Sequence, residues 1–353
     1  MLDEDIEKIK RDLEKQEKTE VRIALFGQPG AGKSSLINAL TGSNKASVGV
    51  ETDKTTKLQE IEHEGLIFCD LPGYGTTNFP KNDYFQKFNI MNFDLLLCVT
   101  SGKLRDADSE FFNAVVEEGK VCLFVHNQSD MIWEPGCSVE ELRQRKAADI
   151  SSHIGRKENI YFTSCRDFDM GRVADSGIGD LSEAIMHHLD TAKQERWVRG
   201  ASAASEEILE RKKQVCDSLV SRYAGLSAVN GINPIPGVDV AIDLASLGIM
   251  FKHIRATYGL TEERLEAYKI AGIPIVANLA NNVVKYAAKE GLLLLLKQFA
   301  TRQTIKSVSK YIPFVGQAIA ASIGYAITSN VGASYAKDSY ELASEVLKNN
   351  LKG

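Results

Sequence analysis

Residues Gly27-Gln28-Pro29-Gly30-Ala31-Gly32-Lys33-Ser34 match the pattern G-x-x-x-x-G-K-[ST] at every fixed position. Spacing of this kind supports the holding of a polyphosphate. Glycines let backbone N–H groups curl around an anion, and a helix that follows adds the positive end of its dipole. Lys33 would reach the β- and γ-phosphates, and the Ser34 hydroxyl would hold Mg²⁺. The flanks fit this reading: residues 21–26 read as a buried strand and 34–40 as a helix. A chance match in a glycine-rich turn would lack both. Gly30, Ala31, Gly32, Lys33, Ser34 and Ser35 are therefore expected to line a nucleoside triphosphate.

A second apolar run, 66–69, ends in Asp70-Leu71-Pro72-Gly73. A carboxylate at a strand end can serve Mg²⁺, usually through water, while the Gly73 N–H faces the γ-phosphate. D-x-x-G alone is common in turns; about forty residues after a phosphate loop, on the next buried strand, it gains meaning. Between the two, residues 47–56 are polar and rich in hydroxyls, where a first switch loop should close a Thr on Mg²⁺. Thr56 is the choice because it directly precedes the strand-like run 58–63; Thr55 and Thr52 stand as alternatives. Lys33, Thr56 and Gly73 form the expected catalytic set, with Ser34, Thr56 and Asp70 about the metal.

Base choice falls to Asn127-Gln128-Ser129-Asp130, after the apolar run 121–125. Asp130 would accept from guanine N1–H and N2–H₂, and adenine would leave that carboxylate unpaired at a cost of roughly 1.5–3 kcal/mol. Gln128 stands where N-K-x-D has a lysine lying over the base, which predicts GTP specificity with weaker affinity. Ser164 and Cys165, in Thr163-Ser164-Cys165 after the run 160–162, fit the last base-contacting loop by position. In many Ras-like GTPases a glutamine after D-x-x-G orients the attacking water. Tyr74 occupies that place here, so intrinsic hydrolysis should be slow unless another residue or a second molecule completes the site; packing beside the loop is an equal role for Tyr74.

These residues need an α/β scaffold. Strand-like runs (21–26, 58–63, 66–70, 93–99, 121–126, 160–164) alternate with helical stretches (33–42, 107–118, 139–153, 179–190), which puts ligands at the carboxyl ends of the strands. After about residue 190 only helical patterns follow: 191–222, 238–258, 262–270, 275–300, 302–310, 317–329 and 333–350. The expected domains are an N-terminal helix over 1–20, an α/β nucleotide domain over 21–190 and an all-α domain over 191–353. Charge divides similarly. The net of −5 hides 22 basic against 33 acidic residues in 1–190, and 20 against 14 beyond. The six cysteines form no C-x-x-C, which suits a reduced, cytosolic protein. The start Met1-Leu2-Asp3 is no signal peptide and lacks the glycine that myristoylation needs.

Residues 311–336 carry no charge and are nominally long enough to span a bilayer, but polar residues and Gly316, Gly324 and Gly332 interrupt them. A helix buried in a bundle is expected. Residues 291–296 (Gly then five Leu) have Lys285, Lys289, Lys297, Arg302, Lys306 and Lys310 around them, a pattern suited to an anionic lipid surface as well as to a core helix with a basic edge. Nothing in 191–353 reads as an RNA-binding module, so no nucleic-acid partner is expected.

Asp70-Leu71-Pro72-Gly73-Tyr74-Gly75-Thr76-Thr77-Asn78-Phe79-Pro80 is very similar to the second switch of the immunity-related GTPases, an interferon-inducible, dynamin-related family. Ile232-Asn233-Pro234-Ile235-Pro236-Gly237 and Lys310-Tyr311-Ile312-Pro313-Phe314-Val315-Gly316 resemble its helical domain. The resemblance implies a P-loop GTPase domain with a Ras-like mixed sheet, bearing an all-α domain and an N-terminal helix. It implies GTP hydrolysis to GDP, weak nucleotide binding, a GTP-dependent homodimer across the GTPase faces, and action at intracellular membranes from the cytoplasm. Two departures stand. The family usually reads T-K-x-D where Asn127-Gln128-Ser129-Asp130 occurs, and either Glu51 or Lys54 occupies the family's dimer-catalytic Glu position.

Overall fold

The computed structural model describes residues 11–46, 59–75, 79–170, 172–230, 244–301 and 316–349. Thr52, Thr55 and Thr56, and the turns at 233–237 and 311–315, lie outside them. The chain divides into two compact units, one of Thr19–Ile208 and one of Leu209–Lys348 with the N-terminal segment to Lys18.

The first unit is built on strands β1 (Val21–Gly27), β2 (Gln59–His63), β3 (Leu66–Asp70), β4 (Leu95–Thr100), β5 (Cys122–His126) and β6 (Ile160–Phe162). They form one sheet in the order β2-β3-β1-β4-β5-β6. The β2–β3 pair is antiparallel and the other pairs are parallel. Helices α1 (Lys33–Thr41), α2 (Lys81–Lys87), α3 (Asp106–Glu117), α4 (Val139–Ile154), α5 (Cys165–Asp169), α6 (Ile178–His187) and α7 (Thr191–Gly200) complete it. β1, β3, β4 and β5 are apolar almost without interruption because both their faces are covered. Every residue of β4 is buried. Register then aligns the chemistry. Leu25 of β1 pairs with Asp70 of β3, while Gly27 pairs with Val99, so the ends of adjacent strands converge on the phosphate loop.

The second unit contains α8 (Glu206–Asn230, which begins in the first), α9 (Leu244–Thr257), α10 (Glu262–Lys269), α11 (Pro274–Ala287), α12 (Lys289–Thr301) and α13 (Gly316–Lys348). Phe251 and Tyr335 stack at 3.8 Å in its core. Lys212 is wholly buried there, its Nζ donating to the Thr257 carbonyl at 2.6 Å, and burial pulls its amine down to about 7. No helix among the described residues is long and apolar enough to cross a membrane.

Three helical expectations need correction. The stretch 191–222 is two helices, because Ala201 turns extended (φ −71°, ψ 154°) and Ser202 bonds the last turn of α1 instead. Its N–H donates to the Leu40 carbonyl at 2.7 Å and its Oγ to Ala39 O at 2.8 Å. The stretch 275–300 breaks at Ala288 (ψ 150°), whose carbonyl accepts from Leu292 N–H to start α12. Conversely, 317–329 and 333–350 form one helix, α13, running straight through Gly332.

Packing explains that last case. A Cβ built on Gly332 would sit 2.9 Å from both the Met250 Cε and the Val220 Cγ1. Gly332 is thus a close-approach site, not a helix stop. Gly332→Ala should destabilise the helical unit by about 1–3 kcal/mol through overpacking, overriding the gain of about 1 kcal/mol that the swap gives in an open helix. Urea denaturation followed by far-UV circular dichroism tests this; a midpoint above wild type would refute the close-packing account.

Candidate functional site

The phosphate loop bridges β1 and α1. Gly32 occupies the N-cap of α1 in the left-handed region (φ 81°), and no side chain caps that helix end. Its first-turn N–H groups are left for a ligand, with no acidic residue in the first turn to repel an anion. Lys33 lies against the loop, its Nζ 3.3 Å from Gly27 O and 3.4 Å from Gln28 O. The same Nζ stands 3.6 Å from Asp70 Oδ1. That is an ion pair longer than a hydrogen bond, and among the described residues the buried Oδ1 has no hydrogen-bond partner. Burial pushes the Asp70 carboxyl up, with Lys33 only partly countering it.

A desolvated carboxylate oxygen of this kind calls for a cation. Together with the Ser34 hydroxyl it offers the hard oxygen donors that Mg²⁺ takes, so the residues fit the ion. Among the described residues no group of three or more His, Cys, Asp or Glu could hold a metal. Mg²⁺ needs none, since it binds through one or two protein oxygens plus phosphate and water.

The second-switch start is fixed by aromatic packing. Tyr74 stacks on Phe111 of α3 at 4.7 Å and meets Tyr84 of α2 edge-on at 5.1 Å. The Tyr84 hydroxyl donates to the Pro72 carbonyl. Tyr74 is therefore a packing residue, braced against the same Tyr84 that anchors Pro72, where the sequence left its role open.

At the base end the expected residues meet, but with divided labour. Asn127 is buried, with Nδ2 donating to the Ala31 carbonyl at 2.9 Å and Oδ1 accepting from Thr163 Oγ1 (3.0 Å) and Cys165 Sγ (3.4 Å). Three of its four hydrogen-bonding positions thus brace the phosphate loop against the β6 end. Gln128, in the left-handed region at φ 58°, donates from Nε2 to Gly30 O at 3.0 Å, so it ties the two loops as well. Asp130 is oriented through Oδ1, which accepts from Ser164 Oγ at 2.9 Å, and Arg166 lies 3.7 Å from Oδ2. The Ser164 Oγ also accepts from Asp167 N–H to cap α5.

Ser164 and Cys165, expected in the last base-contacting loop, hydrogen-bond to Asp130 and Asn127, the residues of the preceding loop. Burial pushes the Cys165 thiol up to about 12, far from a reactive thiolate. The role of Thr163 as a brace, and Arg166, were missed. Only the three-dimensional pairing of β5 with β6 brings them to residues 36 positions away.

Fold and loop together define a P-loop GTPase domain joined to an all-helical unit. The sequence profile described as Interferon-inducible GTPase (IIGP) matches residues 1–272, and the chain belongs to that family. The chain is 28% identical over 263 residues to Interferon-gamma-inducible GTPase 10 of Mus musculus, covering 71% of this chain and 63% of that protein. It is 24% identical over 342 residues to Interferon-inducible GTPase 5 of Bos taurus, covering 87% and 70%. The chain thus spans less than two thirds of the mouse relative. Among solved structures, an oligomerised bacterial dynamin pair aligns over 98% of this chain and 71% of that one, with a TM-score of 0.39 and 12% identity.

Proposed function

We propose that this protein hydrolyses GTP to GDP and phosphate, dimerises through its GTPase unit when GTP is bound, and associates peripherally with anionic membranes from the cytoplasm. The observation that carries the reading is the buried Asp70 oxygen beside Lys33 at the mouth of the phosphate loop. Lys33 and the amides of residues 30–35 hold the phosphates; Ser34, Thr56 and, through water, Asp70 serve Mg²⁺; Asp130 selects guanine. Held there, Mg²⁺ would supply charge neutralisation to the phosphates. Gly73 N–H faces the γ-phosphate, and Tyr74 keeps it there. Nucleotide chemistry then belongs to 21–190, and membrane contact to the basic part of 191–353.

Dimerisation has support at the base end. Trp133 is 78% exposed, and Met131, the residue after Asp130, is 70% exposed. Large apolar side chains held in water beside a nucleotide loop suit a face that a second copy covers. The packing of Tyr74 favours a second reading, a slow GTP-controlled switch in which hydrolysis serves only as a timer.

GTP turnover across a protein concentration series separates the two. We expect the rate per molecule to climb with concentration, to rise further with anionic liposomes, and to vanish in Lys33→Ala. A low rate that stays flat at every concentration would discard the dimer mechanism in favour of the switch.

A further inference from the structure

From the end of α10 into the first turn of α11 runs Ile270-Ala271-Gly272-Ile273-Pro274-Ile275, a segment with no charged or hydroxyl side chain. Ile270 is 85% exposed, the most of any large apolar residue described, and Ile275 is 52% exposed. Ala271, Gly272 and Pro274 are exposed too. Backbone geometry holds the tip outward. Gly272 turns it at φ +77°, and a Cβ placed there would meet nothing within 4 Å. Pro274 presets the first turn of α11. Directly behind the tip, Val276, Ala280 and Val283 of that helix are wholly buried, so the protruding residues stand on an anchored helix.

We propose that this tip inserts into the interfacial layer of a lipid bilayer, with Ile270 and Ile275 as the inserted side chains. The inference rests on the membrane association proposed above and adds to its basic contact a second, uncharged one. A protein partner suits the tip less, since a stable interface takes about 800 Å² from each side and a six-residue convex tip offers far less. A bilayer needs no complementary shape. It accepts apolar side chains at the acyl boundary and strengthens with the apolar area inserted. Residues 270–284 carry no charge. Lys269, paired with Glu266 at 2.6 Å, sits at the base of the tip, at the level of lipid headgroups. Glu262, Glu263 and Glu266 on α10 are exposed and would be repelled by anionic lipid. Tip insertion should therefore persist in neutral lipid, unlike binding through the basic stretch 285–310.

Flotation of the full chain with phosphatidylcholine vesicles, with and without phosphatidylserine, tests this in both GDP and a non-hydrolysable GTP analogue. Wild type should float with both lipids. Ile270→Asp/Ile275→Asp should cut the fraction bound to neutral vesicles by at least about tenfold, while GTP turnover without vesicles stays unchanged. Emission from Ile270→Trp, in a Trp133→Phe background, should shift to the blue and be quenched by brominated phosphatidylcholine; Trp197, which is buried, gives a constant background. Binding only with phosphatidylserine, equal for the double variant and with Trp at 270 unquenched, would overturn the tip while leaving membrane association intact. No flotation in any condition would bring down both. Self-association lost in the double variant, with flotation unchanged, would make the tip a protein contact and overturn the proposal.

Discussion

An Asp130→Asn variant should bind GTP about 10- to 100-fold more weakly and turn its preference to XTP. The carboxylate can accept from both N1–H and N2–H₂ of guanine, and the carboxamide turns one of those acceptors into a donor that faces N2–H₂. Xanthine has a carbonyl at C2, which accepts from that new donor while N1–H still finds the remaining oxygen. The surroundings permit the exchange. Ser164 Oγ donates to Oδ1 at 2.9 Å and should hold the carboxamide oxygen in the same place. The nitrogen then falls where Oδ2 stood, and only the ion pair to Arg166, a side chain 63% exposed, is lost. Such a pair contributes little. Displacement titrations with fluorescent GDP and XDP check the result. Equal weakening of both nucleotides would mean that Asp130 supports the loop without reading the base.

Base reading also marks how far the sequence speaks for itself. The strands were legible because a sheet covered on both faces demands apolar runs such as 95–100, and the phosphate loop because its backbone path demands glycine at fixed places. Asp70 could be placed from its position at a strand end. Asn127 was legible as part of the base loop, yet its bracing role depends on the Ala31 carbonyl, 96 residues away. No local pattern carries that. An aromatic residue after D-x-x-G reads the same whether packed or free, and Phe111 and Tyr84 decide the matter for Tyr74.

The helical half failed differently. The break at 201–205 had local signals in Gly200, which ends α7, and Ser205, whose Oγ accepts from Ile208 N–H at the start of α8, and Ser202 fixes it by bonding α1. Gly332 announced a break that packing against Val220 overrode. At Gly332 a tertiary contact outweighed a propensity worth about 1 kcal/mol.

Asp70→Asn should separate function from stability in one substitution. Turnover of GTP should fall by about 10²- to 10³-fold if Asp70 serves Mg²⁺ as proposed, because its oxygen loses its charge while keeping its shape. Without nucleotide or metal the same variant should melt at a higher temperature than wild type at neutral pH. Burial raises the folded-state pKa of Asp70, with Lys33 opposing the shift but not cancelling it. The folded protein then holds the Asp70 proton more tightly than the unfolded chain does, so this group's contribution to stability falls as pH rises above about 4. At neutral pH the ionised carboxylate is a net cost, and the neutral amide removes it. Lys33 keeps its contacts to the Gly27 and Gln28 carbonyls in either case. Thermal melts of the nucleotide-free proteins from about pH 4 upward should therefore diverge, the variant gaining on wild type until the folded-state carboxyl has ionised and holding that lead at neutral pH. Adding Mg²⁺ and GDP should close or reverse the gap, since the ion supplies wild type with the counter-charge that the variant cannot use. A variant less stable than wild type at neutral pH would show that the 3.6 Å pair to Lys33 outweighs the burial. Undiminished turnover would remove Asp70 from the metal's ligands.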